Sequence, residues 1–201
     1  MRDTKERFSY TTVCLHWIVG LSIISLLAVG TYMEEFEAYN LYPIHKSIGM
    51  LIFVIILGRV AWRLINGWPA TAANYKKLEH NLAVVVHWTL LIGTIIFPIS
   101  GMIMSGAAGH GLAIFGLEVY PHNPDPLDSS NVIALNETMA GIAHEIHEIL
   151  GKVFILAIAL HIAGALKHHL IDKDGTLRRM LGKKLASYTV NTLYALSFNT
   201  S

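Results

Sequence analysis

A single cysteine, Cys14, is all the thiol chemistry this chain has. One cysteine excludes an internal disulfide, and without a CxxCH motif there is no covalent attachment of a c-type haem. Near the start of an apolar run, Cys14 reads as a small buried residue. Charge is scarce as well. Charged residues make up 14% of the 201 positions, apolar ones make up 53%, and mean hydropathy is +0.48. Soluble domains carry about a quarter charged residues, so this composition places the chain in the lipid bilayer. With a net charge of +1, total charge points to no acidic ligand, and no nucleic-acid partner is expected.

Two further absences are local. Residues 33–43 and 105–143 contain no Lys or Arg. By contrast, the N-terminus holds Arg2, Lys5 and Arg7, residues 76 and 77 are both lysine, and the C-terminal segment holds Lys167, Lys173, Arg178, Arg179, Lys183 and Lys184. Between them lie four apolar runs, at about 13–32, 44–64, 82–104 and 146–166. Each is long enough to cross about 30 Å of hydrocarbon, which takes roughly 20 helical residues. Lipid offers the backbone no hydrogen-bond partner, so the spans must be helices. The expected fold is therefore an all-α, four-helix integral membrane bundle. Positive residues stay inside, which puts both termini in the cytoplasm. Trp17, Trp62 and Trp88 fall near the cytoplasmic ends, as an aromatic belt would place them.

The first run is too long for the core of a cleaved signal peptide. Pro98 removes a backbone donor from the third span and predicts a kink there. Residues 106–130, rich in Gly, Pro and Asp, read as a loop, and 131–143 as a short helix leading into the fourth span. The bundle is expected to occupy 8–184, with a tail of unassigned role at 185–201. No internal repeat is visible.

What the chain has in plenty is histidine, eleven in all. Ionisable groups inside a membrane are costly and point to function. His16 lies near the cytoplasmic side of the first span, His45 at the outer end of the second, and His87 near the cytoplasmic end of the third. His147 and His161 share the fourth. Their separation of 14 residues is a rise of about 21 Å, and it leaves them within about 40° of one helix face. One face thus presents an imidazole near each membrane surface. By depth, His45 pairs with His147 on the outer side and His16 with His161 on the inner side, with His87 as the inner rival.

Glycines follow three of these residues by four positions: Gly20 after His16, Gly49 after His45, Gly151 after His147. Residues four apart share a helix face, so each glycine leaves room for a flat macrocycle against the backbone. Tight helix packing would also favour such glycines. Arg59 lies 14 residues after His45, and Arg63 one turn further. At the inner depth a guanidinium can bind a propionate bidentately, although snorkelling to lipid headgroups would also account for it. Other chemistries fit less well. The stretch HEIHE at 144–148 lacks the HExxH spacing of a zinc protease, because His144 and His147 are three apart. Two pairs about 21 Å apart cannot share one ion. No span carries Asp or Glu in its central part, which argues against an ion transporter. His110 and His122 fall in the outer loop, His80 at the inner edge, and His168 and His169 at the inner surface.

The stretches LHWIVG around His16, IHKSIG around His45, GRVAWR closing that helix, AHEIHEILG and LHIAGALKHH make the chain similar to the bacterial cytochrome b561 family over about residues 8–184. The resemblance implies two haem b groups held by His16, His45, His147 and His161, in the bacterial inner (cytoplasmic) membrane. It also implies electron exchange with membrane quinone, ubiquinone being the partner expected. Some members are superoxide oxidases that pass electrons to ubiquinone. Related cytochromes serve as membrane anchor subunits for hydrogenases or other dehydrogenases. The electron donor is thus either a small molecule or a redox protein. The histidines would be the metal ligands, with Arg59, Gly20, Gly49 and Gly151 completing the cofactor site.

Overall fold

The computed structural model describes residues 3–4, 6–67 and 76–184. Arg2, Lys5 and the expected tail 185–201 lie outside the described residues. Four long helices carry the chain: α1 (Tyr10–Glu35), α2 (Tyr42–Asn66), α3 (Lys77–Ala107) and α4 (Glu137–Leu170). All four are long and apolar enough to cross a membrane. A short helix, α5 (Thr176–Met180), follows, and a hairpin of β1 (Leu112–Ile114) and β2 (Leu117–Tyr120) lies between α3 and α4.

Local chemistry sets the helix ends. The Ser9 hydroxyl accepts from the Thr12 amide and caps α1. Asn136 does the same for α4 through the Met139 amide. These contacts satisfy donors that a helix start leaves open. Gly67, at φ 77°, ends α2 in a conformation that side chains disfavour. The last turn of α4 carries the basic residues Lys167, His168 and His169, and the Lys167 cation suits the negative end of the helix dipole. Helix α3 continues through Pro98 without interruption.

Large apolar residues such as Val54 and Leu156 are well exposed, as lipid-facing positions must be. The small interior is a single layer: Val19, Ile23 and Leu26 from α1, Ile52 and Ile56 from α2, and Phe154 from α4. Phe154 is seven residues from both His147 and His161, so this layer lies midway between the two histidine levels. The Phe154 ring lies so close over Gly93 of α3 that a β-carbon there would overlap it. Helices α3 and α4 run close together over a long stretch, whereas the backbones of α1 and α2 stand off from α4.

The basic segments meet at one end. The Asp3 carboxylate accepts from the Ser9 amide and the Thr12 hydroxyl and pairs with Arg63 at 3.7 Å. Trp62 donates to Thr12, and Trp17 donates to the carbonyl of Met180 in α5. Lys167 bridges Glu79 of α3 and Asp172. This is the inner end that the positive residues indicate.

The opposite end departs from expectation. The stretch expected to be loop contains the β1–β2 hairpin, and residues 131–136 are not helical, the helix beginning at Glu137 and running unbroken into the span. The hairpin is fastened to the start of α2 by Ser47, 1% exposed, whose hydroxyl donates to Pro43 and accepts from the Phe115 amide at 2.9 Å. Lys46 donates to Ser105, which donates in turn to the Gly111 carbonyl. Ser47→Ala would leave the Phe115 amide unpaired, at a cost of about 1–3 kcal/mol. Hydrogen exchange should then show faster exchange at Phe115 and through 112–120, with the spans unchanged. Equal protection in both proteins would show that Ser47 does not hold the hairpin.

Candidate functional site

At the outer level His45 and His147 face one another with ring centroids 6.5 Å apart. At the inner level His16 and His161 do so at 6.0 Å. An imidazole nitrogen bonds a metal at about 2 Å, so two rings on opposite sides of one metal have centroids roughly 6–6.5 Å apart. Both spacings suit a shared metal atom and exceed a direct hydrogen bond between rings. The four residues come from α1, α2 and α4, and each pair bridges two helices whose backbones stand apart.

The surroundings of His147 settle its protonation. Its Nδ1 lies 3.1 Å from the Phe97 carbonyl and 3.0 Å from the Ser100 hydroxyl. The carbonyl can only accept, so Nδ1 carries the proton and Nε2 keeps its lone pair for a metal. The Nδ1 of His45 is buried without a hydrogen-bond partner. Facing glycines give both rings room. A β-carbon at Gly30 of α1 would sit 3.4 Å from the His45 ring, and one at Gly101 of α3 would sit 3.0 Å from that of His147. Neither glycine stands out in the sequence, because each lies across the bundle from its histidine rather than along the same helix.

The flagged glycines divide. A β-carbon at Gly20 or Gly49 would meet nothing within 4 Å, whereas one at Gly151 would meet Phe97 at 3.8 Å. Side-chain packing therefore does not require glycine at Gly20 or Gly49, and the open cradle beside each suits a flat ligand. Arg59 and Arg63 line a small cavity with His16, Thr12, Trp62 and Met180. Two guanidiniums beside an inner histidine suit a ligand with carboxylates. The donor set of neutral imidazoles, arginines and open glycine faces thus fits a haem at each level.

His87 joins the inner group. Its ring centroid is 5.3 Å from that of His161, closer than two rings sharing a metal would be. Of the remaining histidines, His168 sits between Asp172 and Asp174 at 2.9 and 3.1 Å, an inner-surface cluster apart from both pairs. His122 pairs with Glu118 on the outer hairpin. Lys152, the second outer cation, is paired with Glu148.

A family model described as prokaryotic cytochrome b561 matches residues 7–183. Among curated proteins, cytochrome b561 homolog 2 of Escherichia coli (strain K12) is 30% identical over 193 residues, 94% of this chain and 98% of that protein. A protein of Yersinia pestis named probable superoxide oxidase CybB is 28% identical over 183 residues, 89% of this chain and 98% of its own length. Cytochrome b561 homolog 1 of Escherichia coli (strain K12) is 25% identical, covering 89% and 99%.

The outer surface supplies a pH test. Hydrogen bonds from the His122 side chain and backbone hold the Glu118 carboxylate below its ordinary range. A carboxylate lowered on folding contributes stability that is present above its unfolded pKa, about 4.3, and is lost as pH falls through the folded value. NMR titration should find Glu118 below the ordinary value in the wild type and closer to it in His122→Ala. An identical titration in the two proteins would exclude His122 as the cause.

Proposed function

The chain belongs to the prokaryotic cytochrome b561 family, multi-pass bacterial membrane proteins of electron transfer that carry haem b, and from this footing we propose that it holds two haem b groups and exchanges electrons with membrane quinone. His45 and His147 bind the outer group, and His16 and His161 the inner one. Gly20, Gly49 and Gly151 lie against the macrocycles, and Arg59, aided by Arg63, binds inner propionates. The observation that carries this reading is the pair of centroid separations, 6.5 and 6.0 Å, each of the size that one shared metal requires. Bound haem would supply a one-electron couple, held at each level by the two imidazoles named. The chain's own contribution is to hold one such couple near each membrane surface, with Phe97 and Phe154, centroids 5.4 Å apart, in the interior between the levels.

A second reading concerns the donor. The likeness to a protein named probable superoxide oxidase favours superoxide as the electron source; ubiquinone is the acceptor of this reading. The outer charge does not assist it. Acidic residues Glu34, Glu35, Glu37, Glu118, Asp125, Asp128, Glu137, Glu145 and Glu148 lie at or near that end. Lys152 is paired with Glu148, which leaves Lys46, beside His45, as the outer lysine among the described residues without a carboxylate partner. A soluble redox protein with a basic face is the alternative donor, with this chain as its membrane anchor.

Pyridine haemochrome analysis of the purified protein should give two haems per chain. His147→Ala should remove the outer centre and His161→Ala the inner one, each variant keeping the other in part. One haem or none in the wild type would overturn the assignment. For the donor, Lys46→Glu should slow superoxide-driven haem reduction several-fold at low salt and less at high salt, since screening weakens such fields. Superoxide reduction that is indifferent to both the charge reversal and salt would remove Lys46 from the approach route.

A further inference from the structure

The Nδ1–H of His147 has two acceptors, and one of them is a side chain. The Phe97 carbonyl lies 3.1 Å away and the Ser100 hydroxyl 3.0 Å. The two acceptors are themselves joined. Ser100 Oγ donates to the Phe97 carbonyl at 2.7 Å, a bond that serine makes readily to the preceding turn of a helix. A hydroxyl has one proton and two lone pairs. With its proton committed to Phe97, Ser100 meets the His147 ring as an acceptor. The imidazole proton is thus shared between a carbonyl, which any residue would supply, and a hydroxyl, which serine supplies.

Three features of the surroundings give that hydroxyl weight. Ser100 is buried, and it borders an apolar groove whose walls include Ile96, Ile99, Ile103, Ala143 and Ile146. Such a groove stays dry, so no water would replace a lost hydroxyl. Across the outer level, the Nδ1 of His45 is buried without a hydrogen-bond partner, so the pair is anchored from the His147 side. The hydroxyl also has no inner counterpart. Val86 is 14 residues before Ser100 on α3, as His161 is 14 residues beyond His147 on the antiparallel α4, and a valine side chain offers no hydrogen bond.

We propose that Ser100 is a positioning residue for the outer centre: its hydroxyl steadies the His147 ring and lowers the potential of the outer couple while leaving the inner one alone. An acceptor for the second N–H of a metal-bound imidazole fixes the ring and raises its basicity. A more basic ligand stabilises the oxidised, more positive iron, and hydrogen bonding around the ligands is one lever on haem potential. The result is a bias between the levels. An electron shared by the two centres rests less often at the outer one than it would without the hydroxyl. Without Ser100 the Phe97 carbonyl would take the whole N–H, free of a competing donor, and would offset part of the loss. The effect is therefore smaller than the roughly 10–100-fold losses in metal affinity or activity that follow removal of an outer-shell partner. This inference rests on the proposed two-haem reading, and the test separates the two.

The test is a redox titration, with low-temperature electron paramagnetic resonance, of the full-length haem-loaded protein, its Ser100→Ala and Ser100→Thr variants, and His147→Ala to identify the outer signal. In S100A the outer haem should become easier to reduce. Its reduced-to-oxidised ratio at fixed potential should rise about threefold, or about 28 mV for a one-electron couple at about 59 mV per decade, with the inner ratio nearly unchanged. The outer resonance should broaden as the His147 ring loses one of its two holds. S100T keeps a hydroxyl that bonds the preceding turn, and the groove beside it leaves room for the added methyl, so its outer couple should return close to the wild-type value. Loss of the outer haem from S100A with retention in S100T would support the inference as well, since the ring's hold on the iron would then depend on the hydroxyl. The inner haem in each sample reports that the variant has folded. An outer couple and resonance in S100A matching the wild type would overturn the inference while leaving the two-haem reading intact. So would S100A and S100T behaving alike, whether by an equal shift or by equal loss of the outer haem, because the hydroxyl would then not be the cause. A wild-type chain with a single haem would overturn the two-haem reading itself, before any variant is made.

Discussion

An imidazole inside hydrocarbon has no water to bond, so a ring nitrogen left there without a partner in the protein or on a ligand is costly. That constraint organises this bundle. His147 sends one nitrogen to the Phe97 carbonyl and Ser100 and turns the other toward His45. For the ring to reach that carbonyl, α3 and α4 must lie close, and Gly101 is where they can. Helices α1 and α2 do the opposite. They stand away from α4 and span the distance with histidine side chains, so the bundle is tight on one side and open on the other. A uniformly packed four-helix bundle would close the space between the rings.

Depth matters as much as spacing, because facing rings serve only if they arrive at the same level. The two ends of the bundle set that level in different ways. At the inner end Asp3 ties the chain before α1 to Arg63 near the end of α2, and Trp62 reaches back to Thr12. The first two helices are thereby held in register four residues from His16. At the outer end Ser47, two residues from His45, anchors a hairpin that arrives from beyond α3. Each fastening is a small polar network at a membrane surface, where water shares the cost of its unsatisfied bonds. The hydrophobic cluster at the midplane, Val19, Ile23, Leu26, Ile52, Ile56 and Phe154, is apolar throughout and relies on shape.

The spans were legible because lipid permits only one regular structure for an isolated apolar segment; the helices run past the expected spans at both ends, by two or three residues in α1 and α2 but by nine at the start of α4, where Asn136 caps it. The pairing of the four histidines was legible for a related reason: fourteen residues is close to a whole number of helical turns, and depth then leaves few partners. The hairpin was not legible. Its strands have three and four residues, too short for a period, and they stay in place through Ser47 on another element. Nor was the support of His147. A backbone carbonyl has no letter in the sequence, and Gly101 could be recognised only once α3 was laid beside α4. The glycines four residues after a histidine lie along one helix, whereas Gly30 and Gly101 act across the bundle. Depth alone makes His87 a rival for the inner position, and only the folded structure shows its ring nearer to His161, at 5.3 Å, than the His16 ring at 6.0 Å.

The Phe154 ring over Gly93 ties two positions on different helices into one shape. Phe154 is fully buried and stands seven residues from both histidines of α4, so the fit of this ring sets how α4 slides and rotates on α3. A larger residue at 93 cannot be absorbed by a small local shift, because any movement of α4 is carried to both histidine levels at once and with the same sign. Residues 93 and 154 should therefore vary together among relatives, small against large, while their summed volume holds steady. For the engineer, the same pair is a single adjusting screw: a matched exchange of volume between 93 and 154 would move both histidine levels of α4 together, which no change at one histidine could do.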